Sequence, residues 1–152
     1  MKTRTIIEEL TKDELVNLLC TATYGSNWLS VTAPEQTGAG ILPEDCVEDI
    51  WAKALLAGHK IKCWDNYADG DRHGNLGGVI KEDGTAVYFV GLKDVMKGLA
   101  QCADGTFVSH DEYERAYLLS CWNAYKEDDG GLDTPQAEAL MQVIMFGELI
   151  YG

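Results

Sequence analysis

Three histidines and five cysteines are the residues of this chain best suited to metal binding or nucleophilic chemistry. Metal sites and disulfide scaffolds use closely paired ligands, and His59, His73 and His110 are dispersed, with no HxxxH pair and no histidine–cysteine cluster. Cys20, Cys46, Cys63, Cys102 and Cys121 are spread along the chain without a CxxC pair, so each reads as a small core residue kept reduced in a cytosol. A Cys63 nucleophile served by His59 needs a bulge between them; a core Cys63 with His59 at a helix end is the simpler reading. Asp65, Asp69 and Gly70 match positions one, five and six of a calcium loop, but Tyr67 and Leu76 stand where positions three and twelve need ligand oxygens. The phosphate-cradling GxxxxGK[ST] and GxGxxG patterns and the GxSxG nucleophile elbow are absent. The residues therefore assign no catalytic group, no metal ligand and no cofactor.

What stands out is a set of aromatics beside polar turn atoms. Tyr24 and Trp28 flank the turn Gly25-Ser26-Asn27, and Trp64 and Tyr67 flank Asp65. Rings placed this way supply contact area at little rotamer cost, which makes Tyr24, Ser26, Trp28, Asp65 and Tyr67 candidate binding residues, with core packing as the competing role. The second set is acidic. The formal net charge is -13, from 25 acids and 12 bases, and residues 103–152 hold ten of those acids against two bases. Glu127, Asp128, Asp129 and Asp133 concentrate it around a glycine-bearing loop. Neutralising a nucleic-acid backbone takes clustered lysines and arginines, which this chain lacks, so direct nucleic-acid binding is disfavoured. A basic protein surface, including one that itself binds nucleic acid, is the partner such a field steers.

The elements that must position these residues follow from periodicity and caps. The 152 residues, 46% hydrophobic and 24% charged, suit a single α+β domain over 1–152. Thr11-Lys12-Asp13-Glu14 is a capping box, and Leu15, Leu18, Leu19 and Ala22 recur at helical spacing, predicting a helix over 12–23 that stops at Gly25. A loop over 26–42 follows, then a second helix with Pro43 in its first turn, an apolar face from Val47 to Leu55, and Gly58 as its end. The period changes to two from Lys60, with Ile61, Cys63 and Asp65 on one side. Polar turns over 69–75 and 82–84 separate it from strands over 76–80 and 85–90. Leu92, Val95, Met96 and Leu99 restore the helical period, with Gly98 a weak spot and Gly105 an end. A box over 109–112 opens the next helix, and Thr134-Pro135 caps the last, whose stripe is Ala137, Leu140, Met141, Ile144 and Met145. The expected fold is a small three-stranded antiparallel sheet packed against about five helices, in the order α-α-β-β-β-α-α-α. The apolar run 143–146 is too short to span a bilayer, and the basic start leads into acids instead of a signal-peptide core, so a cytoplasmic protein without membrane contact is expected.

Tyr24-Gly25-Ser26-x-Trp28-Leu29 after a capped helix, Asp65 at a strand end, the 92–99 helix with Gly98, and the ending QVIMFGELIYG resemble uncharacterised proteins from phages and mobile elements of gut Firmicutes. Residues 134–149 are also weakly similar to the closing helix of ArdB-type antirestriction proteins, although the earlier aromatic and glycine pattern of that family is missing here. The resemblance implies no established activity, only a genomic context in which an acidic protein could inhibit a basic host nuclease or other nucleic-acid-binding defence protein. Three readings remain open: a non-enzymatic acidic binding protein of this kind, a binder or sponge for a nucleotide signal that stacks a base on the aromatics, and an enzyme.

Overall fold

The computed structural model describes residues 10–33, 42–67, 76, 78–127 and 132–151. His73, Asp69, the polar turn over 69–75, and Asp128 and Asp129 lie outside them. The element order is α1 (Lys12–Thr23), β1 (Leu29–Thr32), α2 (Val47–Leu56), β2 (Ile61–Asp65), β3 (Val79–Ile80), β4 (Ala86–Val90), α3 (Leu92–Asp104), α4 (Glu112–Glu127) and α5 (Thr134–Phe146). The strands form one antiparallel sheet in the order β1-β2-β4-β3.

Among the described residues the α+β class and five helices agree with the sequence, but the expected sheet of three strands has four. The extra strand, β1, falls where a loop was expected. Its four residues alternate, with Leu29 and Val31 buried and Ser30 and Thr32 exposed. So short a segment becomes a strand only through its partner: Leu29 faces Asp65 and Val31 faces Cys63 across the ladder. The strand expected over 76–80 shrinks to Val79–Ile80. Pro43 is not in the first turn of α2; it lies in a turn closed by Asp45 N–H donating to the Leu42 carbonyl (3.0 Å), and the helix starts at Val47.

Caps explain most helix boundaries. The Glu14 amide donates to Thr11 Oγ1 (3.2 Å) while the Thr11 amide donates to Glu14 Oε1 (2.9 Å), the reciprocal pair expected for α1. Two expected caps move. Asp111, not Ser109, caps α4, accepting from the Glu114 amide at 2.8 Å while Glu114 accepts from the His110 amide. Asp133, not Thr134, caps α5 with Gln136 as its reciprocal partner.

Helix α5 is the centre of the molecule. Every residue from Ala139 to Phe146 is buried, and the helix packs against α1, α3 and α4. A helix apolar all round must lie inside, and the inward sheet residues Ile61, Cys63, Ala86, Tyr88 and Val90 join the same core. Gly98 is what lets α3 approach it: a Cβ at this position would lie 2.6 Å from Ile144 Cα, so the backbones touch where no side chain fits. Gly98→Ala is therefore expected to destabilise by roughly 1–3 kcal/mol, the overpacking cost outweighing the helix-propensity gain of about 1 kcal/mol. Urea unfolding checks it, and a stabilised variant would refute the close contact.

Candidate functional site

Gly25, at φ +77°, turns the chain out of α1 in a conformation that glycine adopts without strain. The Ser26 amide then donates to the Thr23 carbonyl (3.1 Å), and Ser26 Oγ accepts from the Leu29 amide (3.2 Å). The Trp28 carbonyl accepts from the Asn66 amide at 2.8 Å, which ties this turn to the end of β2. Trp28 is thus aimed by both neighbours, with its ring 5.9 Å from Phe146 and 5.4 Å from Tyr151.

Gly147, at φ +81°, ends α5 and folds the chain back along the helix. Gln142, the one polar residue among the buried positions of α5, holds the returning segment. Its Oε1 accepts from the Ile150 and Tyr151 amides (2.7 and 2.8 Å), and its Nε2 donates to the Tyr151 carbonyl (3.1 Å). Asp65, fully buried at the end of β2, fixes the other end of that tyrosine. The Tyr151 hydroxyl lies 2.7 and 2.8 Å from the two carboxyl oxygens, and Asp65 Oδ1 also accepts from the Tyr67 amide (3.0 Å). Tyr67 stands edge-on to Tyr151 at 5.9 Å.

Between this aromatic floor and the first turns of α4 and α5 lies a cleft of about 620 Å³. Trp28, Tyr67 and Tyr151 line one side; Tyr113 and Tyr117, one helical turn apart on α4, line the other. Pro135, Glu138, Ala139 and Gln142 share a single face of α5 along its wall. Asp111, Glu114 and Glu138 are its charged groups, and no lysine or arginine is among the described residues that line it. Among the described residues, no three histidine, cysteine or acidic side chains converge closely enough to hold a metal ion. Burial, followed by the neighbouring Cys121 thiol and the acids Asp133 and Glu138, pushes the Tyr117 phenol above its ordinary value, so it stays a neutral hydroxyl.

The candidate residues separate into three roles. Trp28 and Tyr67 line the cleft, Trp28 as a core residue only 5% exposed and Tyr67 as a half-exposed ring, whereas Asp65 and Ser26 lie behind it as supports. Tyr24, the other candidate beside this turn, is 79% exposed and is not part of the wall. Glu127 is exposed at the end of α4, and Asp133 is used as a helix cap, so neither lines the cleft. The sequence reading missed Tyr113, Tyr117, Glu138, Gln142 and Tyr151. A signal existed for Gln142, a lone amide inside an apolar stripe.

Cys63, fully buried, has its thiol pushed up to about 12 by desolvation, which keeps the nucleophilic thiolate scarce at neutral pH. The His59 amide donates to the Ala54 carbonyl (2.9 Å) after Gly58, the helix-end position expected for it. Fold and cleft together give an α+β architecture with one aromatic, acid-rimmed cleft among the described residues that we take as the candidate site. No protein-family model, curated protein or solved structure matches the chain. No helix among the described residues is long and apolar enough to cross a membrane.

Proposed function

We infer that this is a non-catalytic binding protein that docks a basic protein surface at its acid-rimmed cleft. The observation that carries the reading is the lining itself: five aromatic rings and three acids, with no base among the described residues. Aromatics give a contact its area, and unopposed carboxylates select a cationic partner. The net charge of -13 extends the same preference over the whole molecule and steers encounter. In the phage or mobile-element setting that the sequence resembles, the fitting partner is a host nucleic-acid-binding defence protein, such as a nuclease whose basic groove the acidic surface occupies.

Stoichiometric inhibition of such nucleases, competitive with DNA and relieved by salt, is the expected result in a panel of defence nucleases from gut Firmicutes. A panel in which DNA cleavage is unaffected by excess protein sinks the reading. Charge reversal at Glu127, Asp128 and Asp129 to lysine is expected to slow association about tenfold at low salt, since exposed charges act on encounter over a Debye length of about 8 Å at physiological ionic strength. The midpoint of thermal unfolding should move little. Stopped-flow mixing measures the first quantity and calorimetry the second; an unchanged association rate would reduce this acidic stretch of sequence to a solubility device.

The cleft volume also favours a second reading, a small-molecule binder, because about 620 Å³ falls within the range of ligand pockets. A nucleotide base could stack on Trp28, but its phosphates would meet Asp111, Glu114 and Glu138. Native mass spectrometry of the purified protein separates the two readings by showing whether a stoichiometric small ligand is retained.

A further inference from the structure

Of the three acids in the cleft, only one has its carboxylate uncommitted. Asp111 caps α4 through the Glu114 amide, and Glu114 accepts from the His110 amide. Glu138 is half-buried in the wall and makes no hydrogen bond or ion pair with any described residue. The polar groups of the floor are also taken: Gln142 holds the backbone of the returning segment, and both oxygens of Asp65 hold the Tyr151 hydroxyl. A ligand entering this cleft thus meets aromatic rings, two acids that also cap α4, and one carboxylate with no hydrogen-bond partner among the described residues. Desolvating a carboxylate without a partner is costly, and a cation that brings its own apolar stem removes that cost while covering the rings.

We propose that the cleft seats one cationic side chain of the partner, a lysine ammonium or an arginine guanidinium, with Glu138 as counter-ion and the Tyr117 ring as a wall, above the largely buried Trp28. This rests on the reading of the protein as a binder of a basic surface and names the group that is read. Both cations are attracted to aromatic faces as well as to a carboxylate, so the shared chemistry is a positive head on an aliphatic stem. The remaining volume accommodates the backbone on either side of the anchor.

The test uses the intact chain and three probes, the N-acetyl N-methylamides of lysine, arginine and norleucine, followed through the Trp28 indole N–H resonance. The cationic probes are expected to shift that resonance saturably, and the tighter of the two identifies the anchor. Norleucine, which has the stem without the charge, should leave it in place. Glu138→Gln is expected to weaken the cationic titration about tenfold, with Tyr117→Leu as a second variant that removes a wall while leaving the charge. Equal shifts from norleucine, an unchanged titration in Glu138→Gln, or no shift from either cation would overturn the seat. Nuclease inhibition measured on the same variants keeps the two ideas apart. If inhibition survives in Glu138→Gln, the basic-partner reading stands and the cation seat falls; if the wild-type chain inhibits nothing yet binds the cationic probes, the reverse holds.

Discussion

Raising the pH from about 8 to about 11 is expected to remove about 8 kcal/mol of this protein's stability, and three buried thiols are the reason. Cys63, Cys102 and Cys121 are all fully buried free cysteines. Desolvation pushes the Cys63 thiol up to about 12 and that of Cys121 up to about 11, from an ordinary 9.0, and raises Cys102 further. In the unfolded chain the same thiols ionise near their ordinary value. A folded-state value raised above the unfolded one contributes stability that is complete below the unfolded value and is lost as pH climbs toward the folded one. Above about pH 9 the unfolded state binds fewer protons than the native state, so each thiol costs about 1.4 kcal/mol per pH unit, and three cost about 4. Against a total stability of about 5–15 kcal/mol, the two pH units from about 9 to about 11 remove about 8, most of what holds a domain of this size together. Urea unfolding at a series of pH values measures the slope. Replacing Cys102 and Cys121 by alanine should lower stability at neutral pH through the cavities left behind, yet flatten the alkaline slope by roughly two thirds. An unchanged slope in that double variant would assign the alkaline loss to other groups.

The same cysteines show what local pattern could and could not reveal. The even spacing of all five argues for five core positions, but only Cys63, Cys102 and Cys121 are buried; Cys20 is half-buried and Cys46 is exposed just before α2. Helix α1 was legible to its end residues because both of its determinants, the Thr11–Glu14 box and the apolar spacing, lie within the segment. Strand β1 was not, because four alternating residues carry almost no periodic signal and the strand exists through its pairing with β2. The cap of α4 was misplaced by two residues, since Ser109 and Asp111 each precede a glutamate by three. Long-range contacts decided between them: the Val108 amide donates to the Gly147 carbonyl (2.9 Å), and His110 Nε2 lies 3.0 Å from Glu148 Oε1, holding the chain before Asp111 against the end of α5.

The candidate site divides along the same line. Trp28, Asp65 and Tyr67 could be singled out because each sits beside a recognisable turn or strand end. Their partner Tyr151 is 86 positions from Asp65, and the opposite wall comes from Tyr113, Tyr117 and Glu138 on two further helices. On those helices the aromatics read as ordinary packing residues, and one acid among many carried no mark. Only the packing of α4 and α5 turns Glu138 toward the rings, and no short-range pattern encodes that.

Removing the carboxylate of Asp65 is expected to cost about 3 kcal/mol and to loosen the cleft floor with it. The side chain is fully buried and accepts from both the Tyr151 hydroxyl and the Tyr67 amide. Asp65→Ala removes a buried carboxylate and its contacts to two part-buried donors at once, and a hydrogen bond to such a group is worth about 1.5–3 kcal/mol. Tyr151→Phe keeps the ring against Trp28 and removes only the hydroxyl, so it should cost less, about 1–2 kcal/mol. The two effects belong to one contact. In the double variant the second substitution should therefore add little, giving a coupling energy of at least about 1 kcal/mol by urea unfolding. Additive losses would mean that Asp65 and Tyr151 stabilise the fold independently. The pair also bears on binding, because Tyr151 forms the floor on which Trp28 and Tyr67 rest. Freed from Asp65, the ring samples more orientations, and a preorganised wall becomes one that must be ordered by the ligand. Tyr151→Phe is therefore expected to weaken binding of a basic partner several-fold while leaving its salt dependence unchanged, because every acid of the rim is still present. A variant that binds normally would make the buried Asp65–Tyr151 contact a purely structural tie.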